Sequence, residues 1–123
     1  MKNEIDVAVQ WWCRKLEDIA HIHSVRKDAI RMFGIELNRI LTKEYRNNWN
    51  TLEPEKGFKE RMVASDCSTL YDACRLAGVG DSLVIFTQRI SMVVNPGYVA
   101  VTSGYDRQVL YERHTETIPT IDK

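Results

Sequence analysis

Three cysteines and three histidines are the side chains of this sequence best suited to metal binding or nucleophilic chemistry. His21 and His23 form an HxH pair that could chelate a metal on a strand, but they lie where one predicted helix gives way to the next. No other ligand type clusters beside them, and Cys67 and Cys74 are too widely spaced for a CxxC clip. We therefore expect no metal site and no other cofactor.

Enzymatic catalysis finds little more support in the residue patterns. The sequence contains no GxSxG, HExxH or P-loop spacing, and its Asp and Glu residues form no paired arrangement. A cysteine–histidine pair formed in the fold stays open, because any chain with three residues of each type offers one. The pattern favours a non-enzymatic protein whose thiols act as small hydrophobic groups in a reducing compartment, and we expect it to be cytoplasmic and/or nuclear.

Length and charge narrow the class of protein further. The chain has 123 residues, 44% of them hydrophobic, which suits one globular domain. Basic and acidic residues number 17 each, although 24–49 carries six basic residues against three acidic ones. No apolar run approaches the roughly 18 residues that a membrane span needs. We expect no membrane insertion and regard direct nucleic-acid binding through a weakly basic second helix as the less favoured alternative.

Two amphipathic helices are predicted in the first half of the chain. Apolar residues recur at intervals of three or four over 5–19, and again over 30–45. Asn3 is the predicted cap of the first helix, and Ser24 is the predicted cap of the second. Two helices joined so closely should pack antiparallel against each other.

The second half of the chain is predicted to contain short strands around one further helix. Ser65 or Asp66 should cap that helix and Gly78 should stop it, whereas 80–88 combines a helix cap with strand composition and stays undecided. Hairpin turn sequences separate the last strands. The predicted strands are Phe58–Val63, Arg89–Val94, Tyr98–Ser103 and Gln108–Glu112.

Helices followed by antiparallel strands predict an α+β domain over residues 3–112. Its expected architecture is an N-terminal antiparallel helical hairpin, with short helices, packed on a small antiparallel β-sheet. Residues 113–123 are polar and are predicted to form a flexible tail.

A loop with a large aromatic residue follows the second helix. Trp49 stands behind the basic end of that helix, and Pro54 and Gly57 shape the chain before Phe58. Two interpretations stay open. Trp49 seals the base of the helical hairpin, or the loop forms one half of a binding edge whose other half is the Asn95–Pro96 turn.

Two segments of the chain resemble the signature boxes of the BTG/Tob antiproliferative family. The first is YRNNWNTLEPEKGFK, Tyr45–Lys59, and the second is ISMVVNPGYVAVTSG…VLYE, Ile90–Glu112. The opening EIDVAVQWWCRKL is also similar to the family's N-terminal helix, so the resemblance runs from Glu4 to Glu112. It implies an α+β domain of helices packed over a small antiparallel sheet, with no catalysis.

The resemblance also implies a function and a partner. Family members are adaptors that bind the catalytic deadenylase subunit of the CNOT complex and repress mRNAs, and they associate with RNA-binding proteins or transcription factors in cell-fate control. Their deadenylase contact lies on the two boxes. Carried over to this sequence, the implied partner-binding residues are Trp49, Phe58, Val93, Asn95, Pro96 and Tyr98.

This chain departs from the family pattern inside the second box. Val93 stands where the family has Trp, Asn95 where it has Asp, and Tyr98 where it has Glu. A buried aromatic anchor commonly contributes about 2 kcal/mol or more to binding, and an Asp can pair with a basic group of the partner. We therefore expect weakened deadenylase binding or a changed partner. The alternative is a homo-oligomeric scaffold whose altered box surfaces self-associate.

Overall fold

The computed structural model describes residues 1–81 and 85–113, and for residues 21–23 it describes the backbone alone. These residues form helices and a four-stranded antiparallel sheet. No helix among these residues is both long and apolar enough to cross a membrane. The element order matches the predicted α+β class. The elements are α1 (Lys2–His23), α2 (Lys27–Tyr45), a 3-10 helix (Phe58–Arg61), β1 (Val63–Ala64), α3 (Ser68–Ala77), β2 (Ile90–Asn95), β3 (Tyr98–Ser103) and β4 (Asp106–Glu112).

The first two helices form the predicted antiparallel hairpin. Asn38 Nδ2 donates to Asp6 Oδ1 at 3.1 Å, and Gly34 lies against Cys13 one to two turns further along. The apolar stripes meet in the core, where the most buried members include Ile5, Trp12, Leu16, Phe33, Leu37, Leu41 and Tyr45. The 3.6-residue period therefore predicted both helices and their inward faces correctly.

Both predicted N-caps of the hairpin are wrong. The first helix begins at Lys2, one residue before Asn3, with Met1 as its cap residue. Ser24 ends α1 in the left-handed conformation, at φ 55°, and α2 begins only at Lys27. The backbone N–H groups of Ser24 and Val25 both donate to Ala20 O, so this turn closes the end of α1 and does not start α2.

The sheet has one face on the helices and one face without a helical cover among the described residues. Strand order is β1-β2-β3-β4, and every neighbouring pair is antiparallel. Alternate residues point to opposite faces, so Met92, Val94, Val99 and Val101 are buried toward α1. The outer face of β2 and β3 carries Ser91, Val93, Ala100 and Thr102, and β1 and β4 are the two edge strands.

The predicted strand Phe58–Val63 is mostly wrong. Residues Phe58–Arg61 form a 3-10 helix, entered through Gly57 at φ 74°, and only Val63–Ala64 pair with β2. The reason is a side chain: Arg61 turns inward and takes up hydrogen bonds that a straight strand would leave out of reach. A sequence rich in charged residues hides this, because arginines are mostly exposed.

The third helix ends as predicted but begins later. Gly78 stops it at φ 73°, while the cap residue is Cys67 and not Ser65 or Asp66. Ser65 Oγ instead accepts a hydrogen bond from Ile90 N–H at 3.2 Å, which ties β1 to β2. Of the undecided stretch 80–88, residues 82–84 lie outside the described residues, and Ile85 and Phe86 are buried in the core.

Candidate docking groove

An open groove of about 610 Å³ lies between the Pro54–Met62 segment and the outer face of the sheet. Five of the six residues predicted to bind a partner line it. They are Phe58, Val93, Asn95, Pro96 and Tyr98. Residues from two segments far apart in the sequence therefore share one surface.

The β2–β3 hairpin holds the sheet side of the groove. Val93 is paired with Ala100 across the two strands, and both lie on the outer face because their neighbours are buried on the inner one. A turn at Pro96–Gly97 joins the strands, and Gly97 has φ 77°, which an L side chain rarely adopts. Small side chains at Val93 and Ala100 leave the floor of the groove recessed.

Apolar side chains form the opposite wall. Phe58 and Met62 are each 38% exposed, so both present hydrophobic surface to solvent in the groove. On the sheet side, Arg107 fixes the ring of Tyr98. Arg107 Nη2 donates to Tyr98 Oη at 2.7 Å, and the Arg107 guanidinium lies 5.8 Å from the centroid of the Tyr98 ring. Exposed apolar groups rimmed by polar ones are typical of protein interaction sites.

Charges of both signs surround this apolar centre. Glu55 and Glu112 line the groove together with Arg107 and Arg113. The charged side chains that line the groove therefore carry no net charge.

Arg61 holds the two sides of the groove together, and the sequence reasoning missed it. Its side chain is fully buried, and its Nε donates to Val94 O at 2.8 Å on the sheet. Its two Nη atoms donate to carbonyl oxygens of the loop, those of Asn48 at 2.9 Å, Lys56 at 2.8 Å and Pro54 at 2.9 Å. No local pattern in the sequence marks this arginine, because its acceptors are brought to it by the fold.

Asn95 is the residue where this network meets the groove. Its Oδ1 accepts a hydrogen bond from Arg61 Nη2 at 2.8 Å, and its side chain is only 7% exposed. In the family pattern, an Asp at this place could pair with a basic group of a partner. The structure instead puts Asn95 on a basic group of the same chain, so that it also supports the groove.

Trp49 does not line this groove. Its ring stacks on Tyr45 with centroids 5.9 Å apart, and the Arg61 guanidinium lies 5.6 Å from its centroid. Tyr45 in turn donates from Oη to Arg61 O at 2.6 Å. Trp49 therefore lies where the first interpretation puts it, at the base of the helical hairpin, and not on the groove.

Two of the three cysteines have thiols that burial makes less reactive. Burial, with a smaller contribution from Glu17, raises the pKa of the Cys13 thiol to about 11, and burial raises that of Cys74 to about 12. Thiols with raised pKa values are poor nucleophiles near neutral pH. The structure does not describe the side chains of His21 and His23. Among the side chains that it does describe, no three or more His, Cys, Asp or Glu residues cluster closely enough to hold a metal ion.

The comparison with protein families decides what kind of domain carries this groove. A model described as the BTG family matches residues 1–112. The chain belongs to the BTG family. This match confirms the resemblance expected over Glu4–Glu112. The residues that line the groove come mainly from the two segments that resemble the family's boxes.

Two BTG relatives support the assignment. Protein BTG3 of Rattus norvegicus is 26% identical over 109 residues, which cover 85% of this chain and 42% of BTG3. The chain thus spans less than half the length of that relative. The BTG/Tob domain of FOG-3 from C. elegans, in a form with two substitutions, superposes with a TM-score of 0.78 at 22% identity, over 92% of this chain and 91% of that one. This second match shows the shared fold.

Membership in the BTG family sets the class of function. BTG proteins are antiproliferative regulators of the adaptor type and are not enzymes. In this BTG chain the described residues around the groove fit that class, because they offer apolar surface and hydrogen bonds to a partner protein.

Proposed function

We propose that this chain is a non-enzymatic adaptor that docks a partner protein in the groove between its two boxes. The observation that carries the proposal is that Phe58 and Val93 line the same groove, with Pro96 and Tyr98 beside them. Protein interfaces concentrate their energy in a few apolar anchors at a recessed centre, and this groove offers such a centre.

The partner that we propose is the catalytic deadenylase subunit of the CNOT complex. The resemblance of both boxes to the family's deadenylase contact supports this choice. Through it the chain would link RNA-binding proteins or transcription factors to repression of mRNAs or genes, in the cytoplasm and/or the nucleus, in control of differentiation. Val93 provides less apolar area than the Trp of the family pattern, so we expect this contact to be weak.

Replacing Val93 with the larger anchor should strengthen this contact. We expect Val93→Trp to raise the affinity for the purified deadenylase subunit by about tenfold or more, and Phe58→Ala to lower it. Tyr105→Ala is the matched control, because Tyr105 is fully exposed on the β3–β4 turn outside the groove. Isothermal titration calorimetry measures the affinity of the wild-type chain and of these three variants for the subunit. Equally strong binding by the wild-type chain and Val93→Trp would remove the argument.

A homo-oligomeric scaffold is the second candidate. One observation favours it: β4 is an edge strand of the sheet, and its Val109, paired with Ala100 of the outer face, is 47% exposed. An edge strand beside an apolar face can pair with a second copy of the chain. Light scattering over a dilution series separates the two candidates, since a monomer at micromolar concentration contradicts the scaffold and a concentration-dependent dimer supports it.

A further inference from the structure

Asn95 places a hydrogen-bond donor on the floor of the groove. Its Oδ1 accepts from Arg61 Nη2 at 2.8 Å. A guanidinium group can only donate hydrogen bonds, so this contact fixes which end of the amide faces Arg61. The NH₂ group of Asn95 must therefore point away from Arg61.

That NH₂ group has no partner in the described part of the chain, yet it is not sealed off. Asn95 is 7% exposed and lines the groove, and its one side-chain hydrogen bond to a described residue is the contact with Arg61. Trp12 Nε1 is the fully buried side-chain polar atom that lacks a hydrogen bond among the described residues. Asn95 Nδ2 is not fully buried in this sense, so an acceptor in the groove can reach it. A buried amide that keeps an unused donor toward a groove is a ready site for an acceptor.

A positive charge lies directly beneath this donor. Arg61 is buried with carbonyl and amide oxygens around its guanidinium, and no carboxylate of a described residue lies within ion-pair distance of it. The groove lining adds two acidic and two basic side chains, which cancel. The Glu60 carboxylate acts on the charge of Arg61 from beyond ion-pair distance. Arg61 has no ion-pair partner among the described residues, and its field acts through protein instead of water.

We propose that Asn95 determines the specificity of the groove by selecting a protein segment that presents a carboxylate beside an apolar side chain. The carboxylate of an Asp or Glu accepts from Asn95 Nδ2, and the apolar side chain packs over Val93 and Ala100 against Phe58. An Asp at position 95 would do the reverse, because it would neutralise Arg61 and turn an acceptor toward the groove. The inference rests on the proposed use of the groove for docking, but not on the identity of the partner.

Peptide selection on the purified chain tests this inference. A random peptide library is displayed against the wild-type chain, Asn95→Asp and Asn47→Asp. The last is the control, because it makes the same charge change on an exposed residue outside the groove. We expect the wild-type chain and Asn47→Asp to enrich peptides with Asp or Glu next to Phe, Leu or Met. A synthetic peptide of that kind should bind Asn95→Asp about tenfold more weakly.

Nuclear magnetic resonance of the wild-type chain gives a readout that does not depend on the folding of a variant. The enriched peptide should shift the side-chain amide signals of Asn95 and leave those of Asn47 in place. Failure to enrich any peptide, the same peptide charge for the wild-type chain and Asn95→Asp, or unmoved Asn95 signals would each overturn the inference.

The two proposals fail in different ways. Selection of acidic peptides without binding of the deadenylase subunit overturns the proposed partner and leaves the role of Asn95 standing. Binding of the deadenylase subunit with no preference for acidic peptides overturns the role of Asn95 alone.

Discussion

Gly34 of α2 packs directly against side chains of α1. A Cβ atom at this position would lie 2.8 Å from Cys13 Sγ and 3.7 Å from Val9 Cγ1. Glycine costs about 1 kcal/mol in a helix relative to alanine. The close packing of α1 on α2 explains why it is nonetheless found in the middle of α2.

Gly34→Ala should therefore destabilise the chain only while Cys13 is present. We expect the substitution to lower the free energy of unfolding by about 1–3 kcal/mol more in the wild-type background than in Cys13→Ala, where the clashing atom is gone. Urea unfolding of the four proteins gives this coupling energy. Additive effects, within about 0.5 kcal/mol, would show that the helices do not touch here as described.

The element that most depends on one side chain is the loop Asn48–Gly57. It runs between α2 and the 3-10 helix, and the Arg61 guanidinium binds its carbonyl oxygens from inside. The same guanidinium reaches Val94 O in β2. One wall of the groove is thus fastened to the sheet through Arg61, and this geometry sets the width of the groove.

Arg61→Lys should release that loop while the helices stay folded. One ammonium group cannot reach acceptors on both the loop and the sheet, and each buried carbonyl left without a donor costs about 1–3 kcal/mol. We expect a loss of unfolding free energy of at least about 2 kcal/mol and faster hydrogen exchange of the amides in 48–58 than in 30–41. Arg89→Lys, at an exposed position before β2, is the control and should change neither. Unchanged exchange in the loop would contradict this role of Arg61.

At the scale of the whole molecule, Glu4 joins the first turn of the chain to the far end of the sheet. Its carboxylate accepts from Gly97 N–H at 2.7 Å, from a residue 93 positions away, and lies 3.2 Å from the Met1 ammonium group. Burial acts to raise the pKa of this carboxyl, but the hydrogen bonds and the ammonium charge outweigh it and lower the pKa below its ordinary value of 4.5. The charged form is therefore favoured in the fold.

This contact should make the stability depend on acid in a defined direction. A lowered pKa in the folded state means that the contribution of Glu4 is complete above pH 4.5 and is lost as the pH falls below it. We expect Glu4→Gln to cost about 1 kcal/mol at pH 7, with a gap to the wild-type chain that narrows by pH 3. Urea midpoints at pH 7, 5 and 3 measure it, with Glu17→Gln on the exposed side of α1 as the control. A gap independent of pH would refute the assignment.

Different parts of this molecule could be read from the sequence to different depths. The stripes 5–19 and 30–45 predicted the hairpin because helix burial follows a local period. The strand ends were also close: Tyr98–Ser103 is as predicted, and β2 begins one residue later than expected. The caps at Ser24 and Ser65 failed because residues that suit a cap also suit turns, and Asn3 failed because α1 begins one residue before it.

The candidate site shows the same division. Phe58 and Val93 could be named from the resemblance of two segments, but their sharing of one groove depends on contacts between those segments. Arg61 could not be found, because nothing local marks a buried arginine whose acceptors lie five to 34 positions away. Trp49 was predicted to belong to the site because it lies in the first box, but in the fold its ring packs against Tyr45.

The amino-acid sequence by itself determined the α+β class, the helical hairpin and the family, since periodicity and motifs are local properties of the chain. Only the tertiary structure decided which side of Asn95 faces the groove, what charge lies beneath it, and which predicted residues meet there. The physical reason is that a hydrogen bond and a buried charge depend on partners that folding brings together from distant positions.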